Sequence, residues 1–471
     1  MLQTRNEPES AAKTAPKTAI AGELGSDADF QRLHDLLKAA HGAGADRAET
    51  VFAISRSLSV GVRKGEIETV ERDETSDLGL RVFVGRKQAV VSVSEFSRAT
   101  LDRLVERAVA MARLAPDDPY ADLAAPALLY GGAPVDLQLF DPSVMSAQSL
   151  QQRALDIEAS GLALDANLAS DAASTGYAQN MWHMVTSDGF AGTHRTSLFY
   201  QSGRFIATDG DGHMERDGEG RSVRHAADLP DVAETGRTGA QRALAAIGAR
   251  KVDTQKAAVI FDKRVSRSLI SQLIGAISGT AIARGSSFLK GKLGEQLFDA
   301  SVQIVDEPLR VRGLGSCLFD DEGVTAQRRA LIEDGVLTTW LLNTAAGKQL
   351  GMASTGHASR SLASAPGVST HNVTLAAGAL SPKTLMADAG KGVVITSMFG
   401  PSVNSDTGDW SAGASGFWFE NGVIAYPVNE MTVAGNLIDM YRRLVPANDL
   451  EIKGTLDAPS IFIDGLSLGG K

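Results

Sequence analysis

The chain contains very little cysteine and few aromatic residues. Cys317 is the one cysteine among 471 residues, and aromatic side chains make up 6% of the sequence. A single thiol excludes a disulfide framework and a cysteine-cluster metal site, so a reducing, cytoplasmic environment is expected. No segment approaches the roughly eighteen consecutive apolar residues that a membrane span requires. The sequence therefore predicts a protein that does not cross a membrane.

The balance of charge is acidic. Lys and Arg total 46 against 56 for Asp and Glu, which gives a net charge of −10. Non-specific binding of nucleic acid requires basic patches that contact phosphate groups, so no nucleic-acid partner is expected. Residues 1–26 lack the apolar stretch of a signal peptide and predict a disordered tail. The remaining length is typical of two domains, with a boundary near residue 250.

Turn signals and apolar periodicity predict an α+β fold. In the N-terminal domain, 27–250, we expect antiparallel β-meanders with hairpin turns at Lys64-Gly65 and Gly85-Arg86, preceded by a helix with Asp27 or Asp29 as its N-cap. Further N-terminal helices are predicted at 97–116, 145–163 and 230–249. Further strands are predicted near 176–186, 189–200 and 202–210, separated by turns at "SDG" (187–189) and "QSG" (201–203). The C-terminal domain, 251–471, should be β-rich and carry an apolar helix over 266–283.

The eight histidines show no metal-binding spacing. None belongs to an H-E-x-x-H segment, and no pair is separated by four residues on a predicted helix. His183, His194 and His213 lie on or beside successive predicted strands and could converge in space. Because nothing in the sequence fixes their spacing as ligands, the favoured interpretation is three separate histidines on the surface of a sheet.

A serine hydrolase and an acid–base site are the alternatives that the residues themselves leave open. The segment "SFLK" matches the S-x-x-K pattern, in which Lys290 would activate Ser287, although no K-T-G segment follows. Acidic residues are concentrated in "FDDEG" (319–323) and in the Gly-rich segment 404–430. Such carboxylates could transfer protons or bind a cation if they converge, but they more often cap turns.

Several longer segments resemble the TldD/PmbA family of metallopeptidases. The C-terminal segments are 319–351, "STGHASR" (354–360) and "TGDWSAGASGFWFENGVIAYPVNEMTVAGNL" (407–437). The N-terminal segment 60–92 resembles the opening β-meander of the family. The resemblance is collinear and covers about residues 28–471. The expectations that follow on activity and partners come from this resemblance.

The resemblance implies the family branch that lacks metal ligands. TldD-type members carry an H-E-x-x-x-H segment on a helix and a further cysteine ligand near the C-terminus. At those motif positions this chain has Ser271 for the first histidine, Gln272 for the glutamate and Ala276 for the second histidine, and 445–450 contains no cysteine. Serine and alanine cannot replace imidazole at zinc, and Gln272 cannot accept a proton from water. The chain thus resembles the PmbA (TldE) branch, with no catalytic residue and no bound metal of its own.

The implied function is that of a non-catalytic subunit in a cytosolic peptidase complex. A TldD-type partner would supply zinc and hydrolysis, while this chain would shape the chamber and bind unfolded or modified peptides, including peptide precursors and antitoxin-like substrates. The candidates for a peptide groove are Thr407, Gly408, Asp409, Gly413, Gly416 and His357, the last at a position where relatives carry asparagine. The Gly-rich candidates could instead shape the β-core or the subunit interface. A homodimeric peptide-binding protein and a stand-alone hydrolase are the alternative functions.

Overall fold

The computed structural model describes residues 24–133 and 135–471. The tail predicted over residues 1–26 therefore lies almost wholly outside the described residues. The N-cap expected at Asp27 or Asp29 is instead Ser26, whose hydroxyl accepts a hydrogen bond from the Asp29 N–H. Asp29 in turn accepts a bond from the backbone N–H of Ser26, and this reciprocal capping box fixes the start of the helix.

The N-terminal half forms one antiparallel sheet with helices packed against it. Its elements are α1 (Asp27–Gly42), β1 (Arg47–Arg63), β2 (Glu66–Val84), β3 (Lys87–Val93), α2 (Arg98–Leu114), α3 (Ala147–Leu162), β4 (Leu168–Thr186), β5 (Ala191–Thr208), β6 (Met214–Val223) and α4 (Val232–Ala245). The strand order is β3-β2-β1-β4-β5-β6, so the two predicted meanders join through β1 and β4. Helices α1 and α2 share a core with β2, and α3 packs on β4.

The hairpin turns predicted at Lys64-Gly65 and Gly85-Arg86 are confirmed. The break expected at 201–203 is wrong, because β5 continues through Gly203, which pairs with β4 and β6, and the chain turns at 209–213 instead. A Cβ on Gly203 would lie 2.6 Å from Ile157 of α3. This glycine therefore permits close packing of a helix on the sheet and does not mark a turn.

The C-terminal half contains a closed barrel and several short strands. Its elements are β7 (Gln255–Phe261), α5 (Lys263–Ala276), α6 (Gly279–Arg284), β8 (Ile304–Asp306), β9 (Arg329–Glu333), β10 (Val336–Leu337), α7 (Thr344–Leu350), β11 (Ala358–Ser359), β12 (Gly367–Val368), β13 (Val373–Leu375), α8 (Pro382–Ala389), β14 (Lys391–Val403), β15 (Asp409–Glu420), β16 (Val423–Asn436), α9 (Leu437–Arg443), β17 (Val445–Pro446), β18 (Leu456–Asp457) and β19 (Ile461–Gly469). Strands β16, β15, β14, β7 and β19 pair in that order, and β19 pairs back to β16, which closes the barrel.

The apolar helix expected over 266–283 is divided into α5 and α6. The chain bends after Ala276, and the N–H of Gly279 then donates to Leu341 O at 2.7 Å. Three apolar residues of α5, Leu269, Ile270 and Leu273, are fully buried in the same core as residues of the barrel strands. Helix α5 is therefore held rigidly by its apolar face, and its opposite face is left for other contacts.

Buried charges join the two halves. Arg81 Nη1 lies 3.1 Å from Glu49 within the N-terminal sheet, and Arg360 of the C-terminal half donates to the same carboxylate. All three side chains are buried. A buried carboxylate is tolerated when such partners surround it, so the contact fixes how the halves meet. The predicted α+β class is confirmed, and within the described residues no helix is both long and apolar enough to cross a membrane.

Candidate functional site

Helix α5 carries the three degenerate metal-motif positions. Ser271 is exposed, Gln272 is half-buried and Ala276 is buried in the core. The first and last positions therefore face different surroundings. Hydroxyl, amide and methyl groups are poor substitutes for the imidazole nitrogens, thiolates and carboxylates that bind zinc in proteins. The residues on α5 do not fit a zinc site of the TldD type.

Ser287 and Lys290 do not form a nucleophile–base pair. Ser287 is buried; its hydroxyl donates to Ala276 O at 2.6 Å and accepts a bond from the Leu289 N–H at 3.1 Å. The contact between Ser287 and Lys290 is a backbone one, from Lys290 N–H to Ser287 O at 3.0 Å. The segment that matches S-x-x-K thus forms a turn bonded to the end of α5. A hydrolase that used Ser287 as its nucleophile and Lys290 as its base would lack the required side-chain contact.

The acidic residues of 319–323 accept hydrogen bonds from backbone groups; Asp320 and Glu322 are buried and Asp321 is half-buried. Asp320 Oδ1 accepts bonds from the N–H groups of Glu322 and Val324 at 3.0 and 2.9 Å, and Glu322 accepts one from the Thr344 N–H at 2.7 Å. Burial, and after it the charge of Glu322, raises the pKa of Asp320 well above its usual value. These carboxyls stabilise turns, as the favoured interpretation of the sequence held.

Acidic residues in segment 404–430 make separate contacts. Glu430 pairs with Lys251 at 2.7 Å, and Glu420 accepts a bond from Trp418 Nε1 at 3.0 Å. Asp409 is exposed at the tip of a hairpin. The described residues therefore contain no acid–base pair that unites this segment with 319–323.

The three histidines considered from the sequence do not converge. His183 Nδ1 contacts Thr193 Oγ1 at 2.5 Å, whereas His194 Nε2 lies 3.0 Å from Phe319 O. His183 pairs in register with Thr193, so the next residue, His194, points to the opposite face of the sheet. His213 contacts Asp209 in the exposed turn before β6. The three histidines are therefore separate, as predicted, but His183 is buried and His213 lies in a turn, so they are not all on the surface of the sheet.

Asp306, His357 and His371 form a buried cluster of residue types that can bind a metal ion. Asp306 Oδ2 lies 3.0 Å from His357 Nε2 and 2.9 Å from His371 Nδ1. The carboxylate also accepts bonds from the backbone N–H groups of His371 and Asn372, and His357 Nδ1 lies 2.8 Å from Thr355 Oγ1. Both carboxylate oxygens therefore have donors within the protein, and the groove candidate His357 faces this cluster, with 1% of its surface exposed.

Burial and hydrogen bonding act in opposite directions on this cluster. Burial opposes ionisation of Asp306, but the bonds from His357 and His371 outweigh it and lower the pKa of the carboxyl. Burial also lowers the pKa of His357, although the bond to Asp306 works against that shift. An ionised carboxylate that accepts from a neutral imidazole is the state these shifts favour.

Thr407, Gly408 and Asp409 lie at the turn between β14 and β15, where Thr407 and Asp409 are exposed and Gly408 is buried. The Thr407 hydroxyl donates to Asp409 Oδ2 at 2.7 Å, and the Gly408 N–H donates to Asn404 O at 2.8 Å. Asn436 Nδ2 donates to both Thr407 O and Asp409 Oδ1. Gly408 has φ of +79°, a left-handed conformation that suits glycine. Most of the polar groups of this turn are thus engaged in holding the turn itself.

Gly413 and Gly416 lie farther along β15. A Cβ on Gly416 would overlap the backbone oxygen of Val394 on β14, and one on Gly413 would overlap the ring of Phe399. Gly416 lines a cavity of about 370 Å³. The structure therefore places the candidates at a hairpin tip, along β15 and in a buried cluster, and does not bring them together.

A larger cleft, of about 870 Å³, lies between the two halves. Residues 218–222 of β6 form one wall, and α5, β14 and the segment 453–458, which includes β18, form the others. It shares Arg242, Arg264 and Phe417 with the cavity beside Gly416, so the two spaces adjoin. Arg264, Arg267 and Ser271 follow at helical spacing, which places the cleft at the N-terminal end of the face that carries Ser271.

The sequence did not indicate the residues of this cleft. Its arginines are scattered over β6, α4 and α5, and only folding brings them together. The one local signal is "GEGRS" (218–222), in which two glycines alternate along a strand. Glycine in a strand often marks the close approach of another backbone.

Comparison with known proteins identifies the family. Models of the PmbA/TldA metallopeptidase match this chain in three parts: domain 1 at residues 48–112, the central domain at 140–247 and the C-terminal domain at 254–470. The metalloprotease PmbA of Escherichia coli O157:H7 is 35% identical over 433 residues, 91% of this chain and 93% of that protein. The PmbA homolog of Haemophilus influenzae is 33% identical over 431 residues, 91% of this chain and 93% of that protein. The chain belongs to the PmbA/TldD family.

Solved structures show the same fold. TldE from Thermococcus kodakarensis superposes with a TM-score of 0.83 at 20% identity, over 93% of this chain and 100% of that chain. A Bacteroides thetaiotaomicron protein described as a candidate modulator of DNA gyrase gives a TM-score of 0.88 at 25% identity, over 95% of this chain and 100% of that chain. The fold is therefore that of PmbA and TldE, metallopeptidase-like throughout.

Proposed function

We propose that this chain is the non-catalytic, PmbA (TldE)-type subunit of a cytoplasmic metallopeptidase complex. The observation that carries the proposal is helix α5. Ser271, Gln272 and Ala276 occupy the positions at which TldD-type relatives hold two histidines and a glutamate, and none of the three can bind zinc or act as a base. A TldD-type partner supplies zinc and hydrolysis, and this chain completes the chamber.

The role of this chain is to hold unfolded or modified peptides, such as peptide precursors and antitoxin-like segments. The cleft between the halves supports this proposal, since it is large enough for several residues of extended chain and is lined by both backbone and charged side chains. Gly416 lies in the wall of the adjoining cavity. The hairpin tip, where Thr407 and Asp409 are exposed on either side of the buried Gly408, is suited to contact with peptide or with the partner subunit.

The test is peptidase activity on an unfolded polypeptide such as casein. This chain is assayed alone and mixed with the TldD-type protein of the same organism, each with and without EDTA. We expect activity only in the mixture and its loss on chelation, because zinc and the base come from the partner. A Ser287→Ala variant, assayed in the same way, is the control and should behave as the wild type.

Two outcomes would contradict the proposal. Chelator-resistant activity from this chain alone, abolished by Ser287→Ala, would instead indicate a stand-alone hydrolase. Peptide binding by a homodimer of this chain, with no complex and no activity in the mixture, would indicate a peptide-binding protein without a role in hydrolysis. Light scattering on the separate and mixed proteins distinguishes the homodimer from the complex.

A further inference from the structure

Two buried polar atoms in the wall of the large cleft lack a hydrogen-bond partner. Arg221 of β6 uses Nη2 to donate to Ile452 O at 3.2 Å, but its Nη1 is buried without a partner. Asp457 Oδ2 is also buried without a hydrogen bond, although it forms an ion pair with Arg310 Nη1 at 3.7 Å. A buried polar group without a hydrogen bond is unfavourable, so a ligand that supplied one would bind favourably here.

The cleft also faces an unpaired strand edge. β6 is the last strand of its sheet. The N–H and C=O groups of Gly218 on this strand point away from β5. The N–H donates to Asp217 Oδ1 at 2.7 Å, and the C=O accepts a bond from Arg242 Nη1 at 2.9 Å. Backbone direction alternates along an antiparallel strand, so Gly220 and Ser222 point the same way. No described residue forms a hydrogen bond with the outward backbone groups of these two residues.

Charge in the cleft favours an anionic group. Its lining contains six basic side chains against four acidic ones. Most are paired with each other: Lys263 with Glu451, Arg264 with Asp217 and Asp262, and Arg242 with Glu219. Arg267 of α5 is exposed and forms no ion pair within the described residues. Arg221 and Arg267 are therefore the two guanidinium groups left to meet a ligand.

From these observations we infer that the cleft binds an extended peptide bearing a carboxylate, as a strand added to the edge of β6. The N–H and C=O groups of Gly220 and Ser222 pair with the peptide backbone, Arg221 and Arg267 hold the carboxylate, and Asp457 Oδ2 accepts a bond from a peptide N–H. This inference rests on the proposed peptide-binding role and specifies where this chain binds its substrate. It moves the site away from the hairpin tip at Thr407.

Fluorescence anisotropy with labelled peptides tests the inference. The probe is a short unstructured Ala/Ser/Thr peptide with a fluorescein at its N-terminus and a free C-terminal carboxylate. A second peptide has an amidated C-terminus, and a third is amidated but carries an internal glutamate. Binding of the first and not the third assigns the site to a C-terminal carboxylate, and the reverse assigns it to an acidic side chain. Equal binding of all three would overturn the role of the carboxylate.

Variants of β6 distinguish the contact with the peptide carboxylate from the pairing with the peptide backbone. Arg221→Gln removes the charge and should weaken binding about tenfold, the loss expected for one charge-assisted hydrogen bond. Ser222→Pro removes an outward N–H that the fold does not use and should weaken binding at least as much, whereas Ser222→Ala keeps the N–H and should bind as the wild type. Arg72→Gln, at an exposed arginine of β2, is the control for net charge.

Each measurement is made on this chain alone and on its mixture with the TldD-type protein. If chelator-sensitive activity is present in the mixture but Arg221→Gln and Ser222→Pro leave binding unchanged in both, the cleft is not the site and the proposed function stands. If the variants weaken binding but the mixture shows no peptidase activity, the cleft is the site and the proposed function fails. Absence of probe binding in both samples would overturn the inference.

Discussion

Two polar regions of this protein differ in whether their groups are paired. In the buried cluster, both oxygens of Asp306 accept bonds from two imidazoles and two backbone amides. In the cleft, Arg221 Nη1 and Asp457 Oδ2 have no hydrogen-bond partner, and the edge of β6 is open. The cluster has the residue types of a metal site, yet both oxygens of Asp306 and both ring nitrogens of His357 already have partners within the protein. The comparison shows that unmet hydrogen-bonding capacity indicates a binding site better than residue type does.

The largest effect is expected from Asp306→Ala. The substitution leaves two buried imidazoles and two backbone N–H groups without an acceptor, and we expect a loss of about 3–5 kcal/mol in the free energy of unfolding. Urea denaturation followed by circular dichroism measures it. Asp439→Ala, at an exposed carboxylate 3.7 Å from Arg442, is the matched control and should change stability by less than about 0.5 kcal/mol.

Adding zinc tests whether the buried cluster of Asp306, His357 and His371 is a metal site. Because both oxygens of Asp306 and both ring nitrogens of His357 already have partners, adding Zn²⁺ should leave the thermal midpoint of the wild type unchanged. A rise in the midpoint with Zn²⁺ that disappears in His371→Ala would instead make Asp306, His357 and His371 a metal site, and the distinction between the two regions would fail.

A second, smaller effect concerns pH and His194, a histidine with a hydrogen-bond partner inside the protein. His194 Nε2 lies 3.0 Å from Phe319 O and its ring stacks on Phe319. Burial lowers the pKa of His194 from 6.5 to about 4, although the bond to Phe319 works in the opposite direction. Between these two values the unfolded chain binds a proton that the folded chain does not, so stability falls as pH decreases. The contribution of this residue is about 3 kcal/mol, since each unit of difference in pKa corresponds to about 1.4 kcal/mol.

Replacing His194 with glutamine isolates that contribution. The amide can still donate to Phe319 O but does not titrate, so the decline in stability between pH 6.5 and pH 4 should be shallower in the variant. Chemical denaturation at a series of pH values gives both curves. Parallel curves would show that the imidazole is not kept neutral by the fold.

A third prediction is that alanine costs more stability at Gly416 than at Gly413, although both glycines lie on β15. A Cβ on Gly416 would meet the backbone of Val394, which cannot move without disturbing the pairing of β14 and β15. Gly416→Ala should therefore cost about 1–3 kcal/mol. A Cβ on Gly413 would meet only the ring of Phe399, which is 57% exposed and can turn away, so Gly413→Ala should cost clearly less. Equal losses, measured by thermal denaturation, would contradict this explanation.

Local patterns in the sequence predicted much of the fold but little of the site. The turns at Lys64-Gly65 and Gly85-Arg86 depend on adjacent residues, and they were predicted correctly. Gly203 was misread as part of a turn because its role depends on Ile157, a residue of a distant helix. The cleft could not be predicted at all, since Arg221, Arg267 and Asp457 are far apart in sequence and only the closed barrel and the N-terminal sheet bring them together.

The smallest effect on stability is expected in the cleft itself. Without peptide, Arg221→Gln should change the free energy of unfolding by less than about 0.5 kcal/mol, because the lost Nη1 has no partner and only the 3.2 Å bond to Ile452 O is given up. Saturating peptide should raise the thermal midpoint of the wild type more than that of the variant, since a ligand stabilises only the state that binds it. A large loss of stability without peptide would mean that Arg221 is structural, like Asp306, and the contrast between the paired cluster and the unpaired cleft would no longer hold.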